Sequence, residues 1–156
     1  MKYLFLTFVL ILSVNSARSQ EYKRSKVDYD AFERLVAEVK GHRNERLIDL
    51  NQFLLKSKQQ NTVILDTRSD KMFKKKHVKG AIHLDFTDFT QKNLEKLIPD
   101  KNTVILIYCN NNFDNDEDNF ATKAYVPPTK TEKGKELTLA LNIPTYINLY
   151  GYGYRN

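Results

Sequence analysis

Two runs of apolar, largely β-branched residues constrain this chain more than any other feature: Thr62-Val63-Ile64-Leu65 and Thr103-Val104-Ile105-Leu106-Ile107-Tyr108. A strand with one wet face alternates apolar and polar side chains. These runs do not, so each is expected to be buried on both faces, as strands of a parallel sheet are. A third short strand is expected at Ala81 to Leu84, and helix-like stretches at Ser69 to Lys76 and Phe89 to Leu97 separate the three. The β-α-β alternation specifies an α/β fold. Upstream, Phe32, Leu35, Val36 and Val39 recur at helical spacing between Val27 and Lys40, with Asp28 or Asp30 as caps and Gly41 just past the end. Arg46-Leu47-Ile48 reads as a short edge strand, Asp49 to Lys58 as a second helix broken by Asn61, and Asn142 to Tyr150 as a last helix with Pro144 in its first turn and Gly151 beyond it. At 156 residues, without internal repeats, the chain fits one domain.

The N-terminus stands apart. Lys2 precedes twelve uninterrupted residues, Tyr3 to Val14 (YLFLTFVLILSV), followed by Asn15-Ser16-Ala17-Arg18-Ser19. The run is shorter than the roughly 20 residues that span a bilayer as a helix, and Ala17-x-Ser19 is a small-x-small cleavage pattern, so residues 1–19 read as a secretory signal peptide. The competing reading is an uncleaved anchor or a buried helix. Cleavage removes two basic and no acidic residues, leaving 23 Lys+Arg against 19 Asp+Glu, a net charge of +4. No stable membrane span is expected after cleavage, and so mild a basic excess argues against nucleic acid as a partner. Export to the periplasm or the medium is the expected localisation, with residues 20–45 forming an arm and helix ahead of the domain.

The chain has one cysteine, so it forms no internal disulfide, and none lies near the cleavage site for lipid attachment. Cys109 directly follows the most apolar strand, at the carboxyl end where open α/β sheets gather ligands. If the loop after it presents peptide N–H groups, those favour the thiolate, which is the nucleophile. The bland alternative is a small buried hydrophobe.

Three segments together carry a resemblance: Val63-Ile64-Leu65-Asp66-Thr67-Arg68-Ser69 with Phe73, then His77-Val78-Lys79-Gly80-Ala81-Ile82-His83-Leu84, then Val104-Ile105-Leu106-Ile107-Tyr108-Cys109. In this order and spacing they resemble the rhodanese (sulfurtransferase) family, from about Arg46 to Asn156. The resemblance implies a doubly wound parallel sheet of rhodanese type, lacking its final strand at the C-terminus. It also implies that Cys109 accepts a sulfane sulfur as a persulfide and passes it to a thiol or cyanide-like acceptor. In that chemistry the backbone N–H groups of Asn110, Asn111, Asn112 and Phe113 would cradle the negative charge without metal or cofactor. Asp66, Arg68, His77 and Gly80 read as architecture, Gly80 for its permissive backbone.

Departures from the pattern are concentrated after the cysteine. The run Cys109-Asn110-Asn111-Asn112-Phe113-Asp114-Asn115-Asp116-Glu117-Asp118 has neither the Arg nor the Gly usual in active members, and its four acidic residues oppose an anionic donor. A related phosphatase would need Arg where Asn115 stands. Met72 and Lys76 occupy positions where the family often has Glu and Gly. Residues 113 to about 137, with Pro127-Pro128, form an unusually long connection, expected as a surface excursion beside the Cys mouth. Asp114-x-Asp116-x-Asp118 imitates a calcium loop, but Asn119 and Tyr125 stand where Gly and Glu are required. Lys71, Lys74, Lys75, Lys76 and Lys79 form a basic patch that could lend charge to the Cys loop. Two functions are therefore expected: a persulfide sulfurtransferase acting on a small sulfur donor and a thiol acceptor, or an inactive rhodanese-like module that binds a protein partner at the Cys loop. The missing second cysteine counts against a thiol redox exchanger.

Overall fold

The computed structural model describes residues 26–123 and 140–156; the expected leader, most of the expected arm after it and the stretch 124–139 of the long connection lie outside the described residues. Three strands, β1 (Thr62–Asp66), β2 (Ala81–His83) and β3 (Val104–Tyr108), form an all-parallel sheet in the order β2-β1-β3. Among the described residues five α-helices accompany it: α1 (Tyr29–Asn44), α2 (Leu50–Lys56), α3 (Asp70–Lys75), α4 (Gln91–Leu97) and α5 (Asn142–Gly151).

Both faces of the sheet are covered, as the unbroken apolar runs require. Leu65 packs with Phe89, Leu94, Ile98, Leu149 and Tyr154 on one face, with Val63, Ile105 and Ile107 beside them. Ile64, Leu106 and Tyr108 pack with Phe120, Phe53 and Ile48 on the other. Neighbours in one strand thus belong to opposite cores, following the two-residue period of strand side chains. A third cluster, Val39 with Ile147 and Tyr150, fastens α1 to α5.

Helix starts follow their capping chemistry. Asp28, Asp49, Ser69 and Thr90 each accept a backbone N–H of the first turn, and Asp49 with Gln52 completes a reciprocal capping box. Several boundaries differ from the sequence reading. Arg46–Ile48 is no strand: Ile48 drops its side chain into the core beside Ile64 and Leu106, while Arg46 Nε donates to the Arg155 carbonyl at 2.9 Å. α1 runs through Gly41 to Asn44, since glycine only weakens a helix that tertiary contacts hold. The stretch expected as a helix from Phe89 is a 3₁₀ turn at Phe86–Asp88 followed by α4. Gly151 ends α5 from within, and Gly153, at φ +88°, supplies the left-handed turn.

The outer edge of β3 has no strand beside it among the described residues. Only Asn156 reaches it, its carbonyl accepting the Ile105 N–H at 3.1 Å.

Candidate functional site

The carboxyl end of β1 holds a buried polar knot. Arg68 returns to Asp66 through Nε (3.1 Å to each carboxylate oxygen) and Nη2 (2.8 Å), and its own backbone N–H donates to Oδ1 at 2.9 Å. Both side chains are almost wholly buried. The remaining guanidinium donors reach the carbonyls of Lys76 (2.7 Å) and Asn119 (3.0 Å). The Phe120 ring lies over the same guanidinium, 4.3 Å from its carbon, with Tyr108 on a second side at 5.6 Å. Tyr108 donates its hydroxyl to Asp66 Oδ2 and accepts the Val78 N–H at 3.1 Å. Burial works against the charge on Asp66, but hydrogen bonds from Arg68 and then Tyr108 outweigh it and hold the carboxyl below the ordinary carboxylate range. Tyr108 is pushed up to about 12, first by burial and then by the Asp66 carboxylate it serves. A charge pair so buried is costly unless its lone pairs and protons find partners, and here Nε, Nη1 and Nη2 of Arg68 and both oxygens of Asp66 all do.

The second sequence signature is tied to this knot. Gly80 sits at φ +84°, a left-handed turn that lets the Ala81 N–H return to Val78 and start β2. His77 is exposed, shares a hydrogen with the Phe73 carbonyl at 2.8 Å and stacks on the Phe73 ring at 4.0 Å. His83 stacks on the same ring at 4.5 Å and reaches the Arg68 carbonyl at 2.8 Å. His42 lies elsewhere, between α1 and α5, against Tyr146.

Cys109 follows β3 and is fully buried. Its sulfur accepts the Leu141 N–H at 3.2 Å, so the first residues of the α5 segment close over it. Asn110–Asn112 form a single 3₁₀ turn. The four loop residues named from the sequence do different things. Asn112 donates its N–H to the Cys109 carbonyl and takes the Cys109 N–H on its side-chain oxygen at 2.9 Å; Phe113 donates its N–H to the Asn110 carbonyl. Asn111 accepts the Lys123 N–H, and Asn110 is buried with its side-chain oxygen unpartnered. The Asn112 amide thus faces the Cys109 side chain as well as its carbonyl, the Phe113 amide is directed at a carbonyl, and the Leu141 N–H is hydrogen-bonded to the sulfur.

Residues 113–123 fold back onto the sheet. Phe120 is buried, and Phe113 stacks on it at 4.0 Å while meeting Tyr108 edge-on. The basic patch staples this segment: Lys76 pairs with Asp116 at 2.7 Å and Lys75 donates to the Asp118 carbonyl. The Lys76 ammonium, followed by the Asn119 amide, holds the Asp116 carboxyl below its usual range. One of the four acidic charges near Cys109 is therefore paired with Lys76, the residue that follows α3.

Sequence reasoning missed Tyr108, Asn119, Phe120 and Leu141. Tyr108 was legible in principle, because a lone hydroxyl in an aliphatic run needs a buried partner. The others act through a carbonyl, a ring face and a backbone N–H, which leave no signature in residue type. A cavity of about 790 Å³ lies along β3, touching Asn112 and Phe113, but Cys109 is not among its lining residues.

The model of the rhodanese-like domain family matches residues 49–137, more than half the chain. Comparison with curated proteins and with solved structures finds no match. The matched span starts at the cap of α2 and runs through the parallel sheet, the Asp66–Arg68 knot and the Cys109 loop. The chain belongs to the rhodanese-like domain family.

Proposed function

We propose that this chain is an exported sulfur carrier of rhodanese type that uses Cys109. In the loading step the Cys109 thiolate attacks the outer sulfur of thiosulfate, a sulfur–sulfur bond forms, and sulfite leaves with the electron pair of the broken bond. In the unloading step the thiolate of an acceptor attacks the outer sulfur of the Cys109 persulfide, takes that sulfur and returns Cys109 as thiolate. Charge and atoms balance in both steps, and no metal is needed. The observation that carries the reading is the Leu141 N–H on Cys109 Sγ at the carboxyl end of β3, a fixed donor toward a sulfur that must bear negative charge. Export rests on the leader pattern of residues 1–19, which makes the periplasm or the medium the place of action.

A specific observation also favours the second reading, a rhodanese-like module that binds a protein partner. Cys109 is fully buried, and the loop after it is tied down by its own carbonyls and by the Lys76–Asp116 pair. Thiocyanate formation from thiosulfate and cyanide separates the two. The carrier reading expects turnover by the wild type and none by Cys109→Ser; equal rates for both proteins, at the level of buffer alone, would leave the module.

A further inference from the structure

The start of α5 has no local cap. Leu141 stands at its N-cap, where Asp28, Asp49, Ser69 and Thr90 serve their own helices with a side-chain oxygen, and its aliphatic side chain makes no such bond. Pro144, in the first turn, has no N–H to give. Yet this uncapped turn is the one whose placement matters most to the thiol, because the Leu141 N–H lies 3.2 Å from Cys109 Sγ. Apolar packing seats the helix as a body: Ile143, Ile147 and Tyr150 gather with Val39 of α1, and Leu149 enters the core with Leu65. Such contact is non-directional and does not by itself aim an amide.

One buried hydrogen bond supplies the direction. Thr145 Oγ1 and Thr67 Oγ1 lie 2.7 Å apart, in residues only 1% and 2% exposed, and join the first turn of α5 to the carboxyl end of β1. Thr145 also donates its backbone N–H to the Leu141 carbonyl at 2.9 Å. The residue that holds the hydroxyl and the residue that holds the sulfur are therefore one helical turn apart and bonded to each other. The anchor is itself fixed: Thr67 stands between Asp66 and Arg68 of the knot, and its carbonyl accepts the Phe86 N–H at 3.2 Å. The sulfur is placed from the same strand end, since Tyr108, which precedes Cys109, lies beside Asp66 in the sheet and donates its hydroxyl to that carboxylate. Donor and sulfur are thus both located from the Asp66–Arg68 turn.

We propose that Thr145 is a positioning residue for the sulfur site: its hydroxyl, held by Thr67, sets the first turn of α5 so that the Leu141 N–H falls on Cys109 Sγ. The inference rests on the reading of Cys109 as a sulfur carrier and adds the device that aims its donor. An amide aimed in advance needs no reorganisation when negative charge returns to the sulfur, and that advantage is lost once the turn can slide or rotate. Both hydroxyls are required, because valine copies the shape of threonine but can neither donate nor accept.

The test compares Thr145→Val, Thr145→Ser and the double variant Thr67→Val/Thr145→Val in the full chain. Removing one hydroxyl strands the other, whereas removing both leaves no buried hydroxyl unpaired, so the double variant is expected to unfold close to the wild-type urea concentration. Hydrogen exchange at the Leu141 amide and the pH profile of Cys109 alkylation by iodoacetamide read the positioning without any sulfur transfer. In Thr145→Val and in the double variant, Leu141 is expected to exchange roughly tenfold faster and the alkylation profile to move to higher pH. Thr145→Ser is expected to keep both at wild-type values. Thiosulfate loading, followed by intact mass, is expected to slow about tenfold in the two valine variants, less than the roughly hundredfold that outright loss of a charge-stabilising donor costs. A folded double variant with wild-type Leu141 exchange and alkylation profile would overturn the proposal, as would a Thr145→Ser variant that behaves like Thr145→Val. A wild type that never loads sulfur would overturn sulfur carriage instead, and the exchange and alkylation results would still decide what places Leu141.

Discussion

At the scale of single residues, the Asp66–Arg68–Tyr108 knot governs what can be changed. Asp66→Asn leaves the Arg68 guanidinium buried without its counter-charge, and a loss of about 3–5 kcal/mol of unfolding free energy is expected in urea titration. Tyr108→Phe removes one hydrogen-bond partner from Asp66 and one from the Val78 N–H, for which a loss of about 1–3 kcal/mol is expected. The knot also sets an acid limit. The Asp66 carboxyl titrates lower in the folded chain than in the unfolded one, so its stabilisation is complete above the unfolded carboxylate pKa of about 3.9 and is lost as pH falls through the lower folded value. Stability measured from pH 6 downward is expected to fall in this acid range for the wild type, and less steeply for Asp66→Asn. Asp66 and Arg68 were legible from the sequence as a pair. Their full set of partners was not, because Lys76 and Asn119 contribute carbonyls, which every residue has.

At the scale of elements, Gly80 and α3 decide how the second signature is presented. A side chain at Gly80 meets no neighbour within 4 Å, so the cost of Gly80→Ala comes from φ +84° alone. A loss of about 1–2 kcal/mol is expected in thermal or urea unfolding. Strands and helix caps were legible because they depend on local patterns: unbroken apolar runs for β1 and β3, and Asp49, Ser69 and Thr90 at helix starts. Arg46–Ile48 misled because a short apolar stretch satisfies both a strand and a buried connector, and Ile48 is claimed by the core below it. The Cys loop was only half legible. Its position after β3 followed from the strand, whereas the donor on the sulfur, the Leu141 N–H, lies 32 residues along the chain and could come only from the tertiary fold.

At the scale of the whole molecule, two cores flank one parallel sheet, and both chemical features gather at its edges. The signatures of β1 and β2 build a rigid knot; Cys109 caps β3 beneath the start of the α5 segment; and the outer edge of β3 opens into the cavity. The fold explains why the thiol is held and buried, and the proposal of sulfur carriage adds that it reacts. The most direct test is the intact mass of the protein after incubation with thiosulfate, read before and after treatment with cyanide. Wild type is expected to gain one sulfur atom, cyanide to remove it, and Cys109→Ser to gain none. A wild type whose mass stays unchanged, or a Cys109→Ser variant that gains the same sulfur, would contradict it.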